Sequence, residues 1–125
     1  NLNIKHAWIV NSEDGLDEIS PYAKTNVVQL KNGEVSEIII DPKELNIVAN
    51  KFDDLLGDDA QFNAIKMINI FKGDDNDFSK AVCLNAAAGL MVAGKNSEYR
   101  NAYKDARSHI LSGKTFKHLK DIQNA

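Results

Sequence analysis

Apolar residues follow two different rhythms in this chain, and the change from one to the other divides it. Near the start, His6-Ala7-Trp8-Ile9-Val10 is an apolar run without alternation, which predicts a buried strand. Polar Asn11-Ser12-Glu13-Asp14-Gly15 follows at once, a loop leaving the carboxyl end of a strand, where α/β sheets place their chemistry. Two β-rich runs come next, Thr25-Asn26-Val27-Val28-Gln29-Leu30 and Val35-Ser36-Glu37-Ile38-Ile39-Ile40, separated by Lys31-Asn32-Gly33-Glu34. Asn-Gly accepts positive φ at both turn positions, so an antiparallel hairpin is predicted. It ends at Asp41-Pro42-Lys43-Glu44, where Asp41 can cap a short helix and Pro42 suits its first position.

From about Asp59 the rhythm becomes helical. Phe62, Ile65, Ile68 and Phe71 recur on one face, with Asp59 as the N-cap and Gly73 past the end. A second helix is predicted from near Asp77 to Gly94; it is apolar nearly all round, which calls for burial on several sides in a larger body. A third begins after Ser97, carries Tyr99, Ala102, Tyr103, Ala106 and Ile110, and stops before Gly113. A last short turn, Phe116 to Ile122, is expected to pack Phe116 and Leu119 inward. No repeats or linker-like stretches interrupt the pattern, and residues 1–125 read as a single domain.

Composition narrows the function. The 125 residues carry a net charge of -3, which gives no basic footprint for DNA or RNA. A small phosphorylated substrate stays open, because a metal ion can bring positive charge locally. Cys83 is the single cysteine, so an intrachain disulfide and a cysteine-built zinc site are excluded, and a reducing, cytoplasmic setting is favoured. No apolar run is long enough to cross a bilayer. The chain starts at Asn1 without methionine and is expected to be a piece of something longer.

The segment Glu13-Asp14-Gly15-Leu16-Asp17-Glu18-Ile19-Ser20 concentrates carboxylates after the first strand. Such a cluster repels itself unless a cation or a substrate group resolves it. Mg²⁺ suits it, since that ion takes oxygen ligands and commonly uses one or two carboxylates with substrate phosphates. Adjacent Asp17 and Glu18 point in different directions, so they can serve one ion, two, or one partly through water. The alternative is a solvated acidic turn, and both readings stand on these residues alone. Elsewhere the chemistry is plainer. His6, His109 and His118 lie on separate elements and fit surface or packing roles. Cys83 sits in an apolar helix as a small core residue, and Asn85 in the same helix calls for a structural hydrogen bond. Ser12 and Ser20 have no recognisable base, so hydrolase chemistry is unsupported. Asp74-Asp75-Asn76-Asp77 lacks the glycine and terminal glutamate of a calcium loop and reads as an exposed loop with a helix cap.

Taken in order, several of these segments resemble one family. Asp14-Gly15-Leu16-Asp17-Glu18-Ile19-Ser20, then Thr25 and the strand to Leu30, is similar to the metal-binding segment of anthranilate phosphoribosyltransferases. The likeness continues through Lys31-Asn32-Gly33, Ile40-Asp41-Pro42, Leu56-Gly57-Asp58-Asp59-Ala60, Asn63-Ala64, Val82-Cys83-Leu84-Asn85-Ala86-Ala87-Ala88 and Ser112-Gly113-Lys114. It covers the whole chain but only the C-terminal part of the family's length. Two positions depart from the family: Asn11-Ser12 stands where a His is usual, and Asp58 where a second Gly is common.

The resemblance implies transfer of phosphoribosyl from phosphoribosyl pyrophosphate to the amino group of anthranilate in tryptophan biosynthesis, releasing pyrophosphate. It implies Mg²⁺ held by Asp17 and Glu18, whose role is to meet the charge growing on pyrophosphate as the C1–O bond breaks. It also places the family's glycine-rich phosphate loop, its Lys-His-Gly-Asn-type segment, its anthranilate-binding arginine and the helical domain that builds its homodimer upstream of Asn1. The isolated chain is therefore expected to be inactive. The expected fold is an α/β fragment: part of a mixed, mostly parallel sheet, with a β-hairpin and several C-terminal helices. Its unpaired sheet edge is expected to drive self-association. Two rivals remain, a non-catalytic binding or assembly module of the same fold and a related nucleoside phosphorylase.

Overall fold

A computed structural model describes residues 3–50 and 52–125. Three strands, β1 (His6–Ser12), β2 (Thr25–Lys31) and β3 (Glu34–Ile40), precede two 3-10 turns at Pro42–Leu45 and Phe52–Leu55. Four helices follow: α1 (Ala60–Phe71), α2 (Asp77–Val92), α3 (Tyr99–Leu111) and α4 (Lys114–Gln123).

The hairpin forms where Asn-Gly placed it. Asn32 and Gly33 both take positive φ, 52° and 87°, and β2 pairs with β3 in register from Lys31↔Glu34 to Thr25↔Ile40. Asp41 caps the following turn, accepting from the Lys43 N–H. Asp59 caps α1 through the Phe62 N–H, and Asn76 closes a reciprocal capping box with Ser79 at the start of α2. These are short-range contacts, which is why the sequence announces them.

The expected hairpin and trailing helices are present; the mostly parallel sheet is not seen. Within the described residues the order is β1-β2-β3, and β1 pairs with β2 antiparallel, from His6↔Lys31 to Ser12↔Thr25. The loop between them turns straight back and contains no crossover element of the kind parallel pairing needs. Nor is β1 buried on both sides. Trp8 and Val10 face the helices, whereas Ile9 points away and is 72% exposed. Among the described residues, helices cover one face only. On the other, Ile9 stands opposite Val28, and Val35 and Ile39 are 69% and 61% exposed.

The core lies between the covered face and α2–α3. Ile19, Val27, Ile40 and Ile47 meet Ile70, Cys83, Leu84, Ala87, Ala102, Tyr103 and Ile110. Complete burial of a side chain such as Ile70 or Leu84 contributes roughly 1.5–3 kcal/mol relative to exposure. The stripe expected on α1 is only half right: Ile68 and Phe71 are half-buried, but Phe62 and Ile65 are 45% and 51% exposed. Ile70, off that stripe, is the residue fully buried. Only the C-terminal part of α1 reaches the core, so the choice of face is set by tertiary docking and not by period. On α2, Cys83, Leu84 and Ala87 are buried, while Ala86 is exposed. The expected last turn is a ten-residue helix, α4, with Phe116 and Leu119 half-buried. No helix among the described residues is long and apolar enough to cross a membrane.

Candidate functional site

Between β1 and β2 the chain makes a loop whose buried polar groups are bonded within the fold, several of them to one another. At its entry the Ser12 N–H donates to the Leu16 carbonyl (3.1 Å) and the Gly15 N–H to the Ser12 carbonyl (3.0 Å). Gly15 holds φ +89°, a left-handed conformation for which glycine is suited. The Glu13 N–H donates to the Lys24 carbonyl (2.9 Å), closing the loop's base. Asp14 is the organiser: one oxygen accepts from the Leu16 N–H (3.3 Å), the other from the Ser20 hydroxyl (2.5 Å). Ser20 in turn accepts from the Tyr22 N–H (3.0 Å), and its own N–H donates to the Thr25 hydroxyl oxygen (3.3 Å).

Ser12, Ile19, Ser20, Pro21 and Thr25 are buried, and they carry the loop. Asp17 and Glu18 stand at its exposed surface. Among the described residues neither joins a salt bridge. Lost hydration around the Glu18 carboxyl, together with the neighbouring Asp17 carboxylate, raises Glu18 above the ordinary glutamate range. Asp14 behaves oppositely. Burial pushes it up, but the Ser20 and Ser12 hydroxyls and the Leu16 N–H outweigh that and hold it below its usual value. Neighbouring acids thus have different work: Asp14 is bonded inward, and Asp17 and Glu18 are left facing out.

Sequence reasoning singled out Asp17 and Glu18, which the fold leaves at the surface, and missed the inward framework. Ser20, for which the sequence offers no recognisable base, donates its hydroxyl to Asp14 and is 0% exposed, so it is a strut and not a nucleophile. Asp77, expected in an exposed loop, is buried and accepts from the Tyr22 hydroxyl (3.1 Å), the Asn50 N–H (2.8 Å) and the Lys80 ammonium (2.6 Å). Asp75 does lie exposed, paired with Arg107. Only Lys80, three residues on, is local to Asp77; Tyr22 and Asn50 come from distant segments, so little in the sequence signals the cluster. The Asp-Gly dipeptide with Ser20 six residues beyond Asp14 is the only sequence trace of the loop's internal bonding.

The histidines are not brought together. His6 faces Gln29 at 3.2 Å, and among the described residues no group of three or more His, Cys, Asp or Glu converges. Cys83 is buried, and burial pushes its thiol up to about 11, which leaves it protonated and inert. Asn85 has the structural bond expected of it: its side chain accepts from the Ile19 N–H and donates to the Ile19 carbonyl.

Comparison with known proteins places the chain in one family. Residues 1–116 match the model of the glycosyl transferase family, a/b domain. Anthranilate phosphoribosyltransferase of Pelagibacter ubique is 73% identical over 124 residues, covering 99% of this chain and 38% of that protein. A crystal structure of anthranilate phosphoribosyltransferase from Thermus thermophilus superposes with TM-score 0.82 at 26% identity, over 93% of this chain and 34% of the other. The Saccharomyces cerevisiae enzyme in complex with phosphoribosyl pyrophosphate and Mg superposes with TM-score 0.78 at 20% identity, over 90% and 33%, a likeness of fold. The chain thus spans little more than a third of the length of these relatives.

Proposed function

The chain belongs to the glycosyl transferase family, a/b domain, and from that premise we propose that it is the Mg²⁺-bearing part of an anthranilate phosphoribosyltransferase acting in tryptophan biosynthesis. The observation that carries the reading is the 73% identity to the Pelagibacter enzyme over 124 residues, 99% of this chain. The donor chemistry fits the metal. Asp17 and Glu18 offer hard oxygen ligands at the surface of a fixed loop, and a cation would offset the repulsion between these adjacent carboxylates. Two carboxylates leave the remaining coordination to water and substrate oxygens.

When bound, Mg²⁺ supplies the positive charge that stabilises pyrophosphate as a leaving group. The residues of this chain do the positioning. Asp17 and Glu18 bind without acting as nucleophiles, and the Asp14–Ser20 strut keeps them turned outward. The amine nitrogen of anthranilate forms the new bond to ribose C1, the C1–O bond to pyrophosphate breaks, and the nitrogen then loses a proton. The resemblance puts the family's glycine-rich phosphate loop and anthranilate-binding arginine outside this chain, which spans little more than a third of its relatives' length; on this reading the chain alone is inactive and the whole protein is a cytoplasmic homodimer.

The test uses the full-length protein that carries this chain. Consumption of anthranilate, followed by its fluorescence with phosphoribosyl pyrophosphate and Mg²⁺, is expected. Asp17→Asn/Glu18→Gln should lower kcat/KM by on the order of 10²–10³-fold while circular dichroism stays unchanged. A double variant with undiminished activity refutes the role of the pair; a wild-type protein with no transfer refutes the reaction.

A further inference from the structure

Helix α2 is built of small and apolar residues from Ala81 to Leu90, with a single amide in its middle, Asn85. Asparagine is a poorer helix former than the alanines beside it, and a half-buried carboxamide must find partners. It finds them in the acidic loop, 66 residues away in sequence. Asn85 Oδ1 accepts from the Ile19 N–H at 3.0 Å, and Asn85 Nδ2 donates to the Ile19 carbonyl at 3.1 Å. A further bond from Nδ2 to the Ala81 carbonyl, 3.0 Å away and one turn earlier, ties the carboxamide to its own helix. Both amide hydrogens and one acceptor site are therefore used. The orientation is forced, because turning the amide over would set donor against donor and acceptor against acceptor.

The contact resembles one step of a β-ladder, with a side-chain amide in place of a neighbouring strand. Its location gives it consequence. The Ile19 N–H belongs to the peptide unit joining Glu18 to Ile19, so the bond fixes the backbone plane from which Glu18 projects. The Ile19 side chain is 1% exposed in the core, and Ser20 is locked to Asp14 and Thr25. The chain is thus anchored immediately after the outward-facing pair and tied to the longest helix, whose start is held by a reciprocal cap.

We infer that Asn85 is a positioning residue of the acidic pair: it sets the direction of the Glu18 carboxylate, and through it the metal affinity of the loop, without touching metal or substrate. This rests on the proposed Mg²⁺ role of Asp17 and Glu18. A groups-behind-the-ligands effect of this kind is commonly on the order of 10-fold or more in metal affinity.

The experiment compares wild-type, Asn85→Ala and Ile110→Ala full-length proteins. Ile110 is buried on α3 and serves as a variant destabilised away from the loop. Each is assayed below its unfolding temperature for the dissociation constant of Mn²⁺, read by water-proton relaxation, for the Mg²⁺ concentration giving half-maximal rate, for KM of phosphoribosyl pyrophosphate and of anthranilate, and for Tm. Asn85→Ala should raise the Mn²⁺ dissociation constant and the half-saturating Mg²⁺ concentration about 10-fold and raise KM for phosphoribosyl pyrophosphate, leaving KM for anthranilate unchanged. Ile110→Ala should lower Tm and leave the Mg²⁺ requirement alone. Should Asn85→Ala fail to fold, Asn85→Ser takes its place; its hydroxyl can still bond back to the Ala81 carbonyl but is too short to hold Ile19. A Mg²⁺-dependent wild-type whose Asn85 variant shifts no more than Ile110→Ala overturns the inference alone. A wild-type whose rate does not depend on Mg²⁺ overturns the reading of the pair beneath it.

Discussion

The acidic loop and the outer face of the sheet lie on the same strands and are finished to different degrees. In the loop, buried polar groups are matched within the chain: Asp14 with Ser20 and Leu16, Ser20 with Tyr22 and Thr25, Ile19 with Asn85. On the outer face, Ile9, Val28, Val35 and Ile39 stand uncovered. Hydrogen bonds must be satisfied wherever polar groups are buried, or the fold loses their desolvation energy. An apolar patch tolerates exposure until a partner surface arrives. The candidate site is therefore self-contained in its architecture, while the scaffold's apolar surface is not. The chain spans about a third of its relatives' length.

Breaking the loop should have the largest effect on folding. Ser20→Ala removes a fully buried hydroxyl, freeing the Asp14 carboxylate and the Tyr22 N–H together. The expected loss is about 1–3 kcal/mol, read as a lower urea midpoint at unchanged slope. A loss under a few tenths would mean that the loop is held elsewhere. The outer face should respond in the opposite sense. Ile9→Thr with Val35→Thr should change unfolding free energy by no more than about 0.5 kcal/mol per site, yet reduce self-association of the isolated chain in sedimentation velocity. Equal sedimentation of variant and parent would show that this face does not drive association.

Smaller effects sharpen the contrast by pH. Asp14 titrates below its ordinary value when folded, so its stabilisation is present above the unfolded carboxyl value and is lost as pH falls through the folded one. Asp14→Asn should flatten that part of the acid side of the stability curve; a curve of unaltered shape would contradict the role given to Asp14. Cys83 runs the other way. Its thiol is raised from 9.0 to about 11, so the contribution is whole below pH 9 and declines as pH rises towards 11. At neutral pH the thiol should resist iodoacetamide until the protein is unfolded, and rapid labelling of native protein would place it outside the core.

The parts legible in the sequence are those decided over a few residues. Asn32-Gly33 specifies its turn by backbone sterics, and Asp59 announces a helix start by its reach to the Phe62 N–H. The parts that were not legible depend on distant docking. Periodicity marks a stripe on α1 but cannot say that Ile70 will be covered while Phe62 and Ile65 are not. Likewise, an unalternated β1 reads as doubly buried when helices cover only one side. Asp17 and Glu18 were visible through motif order. What shapes their surroundings was visible only as oddities: a serine six residues after an aspartate, and an asparagine in an apolar helix. Asp77 was marked only as the start of a helix, since Tyr22 and Asn50 meet it only in the fold.

Paramagnetic relaxation addresses the central claim most directly, that a preformed loop presents Asp17 and Glu18 to a metal. With Mn²⁺ replacing Mg²⁺ in the isotopically labelled full-length protein, and phosphoribosyl pyrophosphate present, amide broadening should centre on residues 17 and 18. It should fall off along Ile19 and Ser20 and disappear in Asp17→Asn/Glu18→Gln. Broadening centred on another acidic segment, such as Asp74-Asp75, or persisting unchanged in the double variant, would contradict the account.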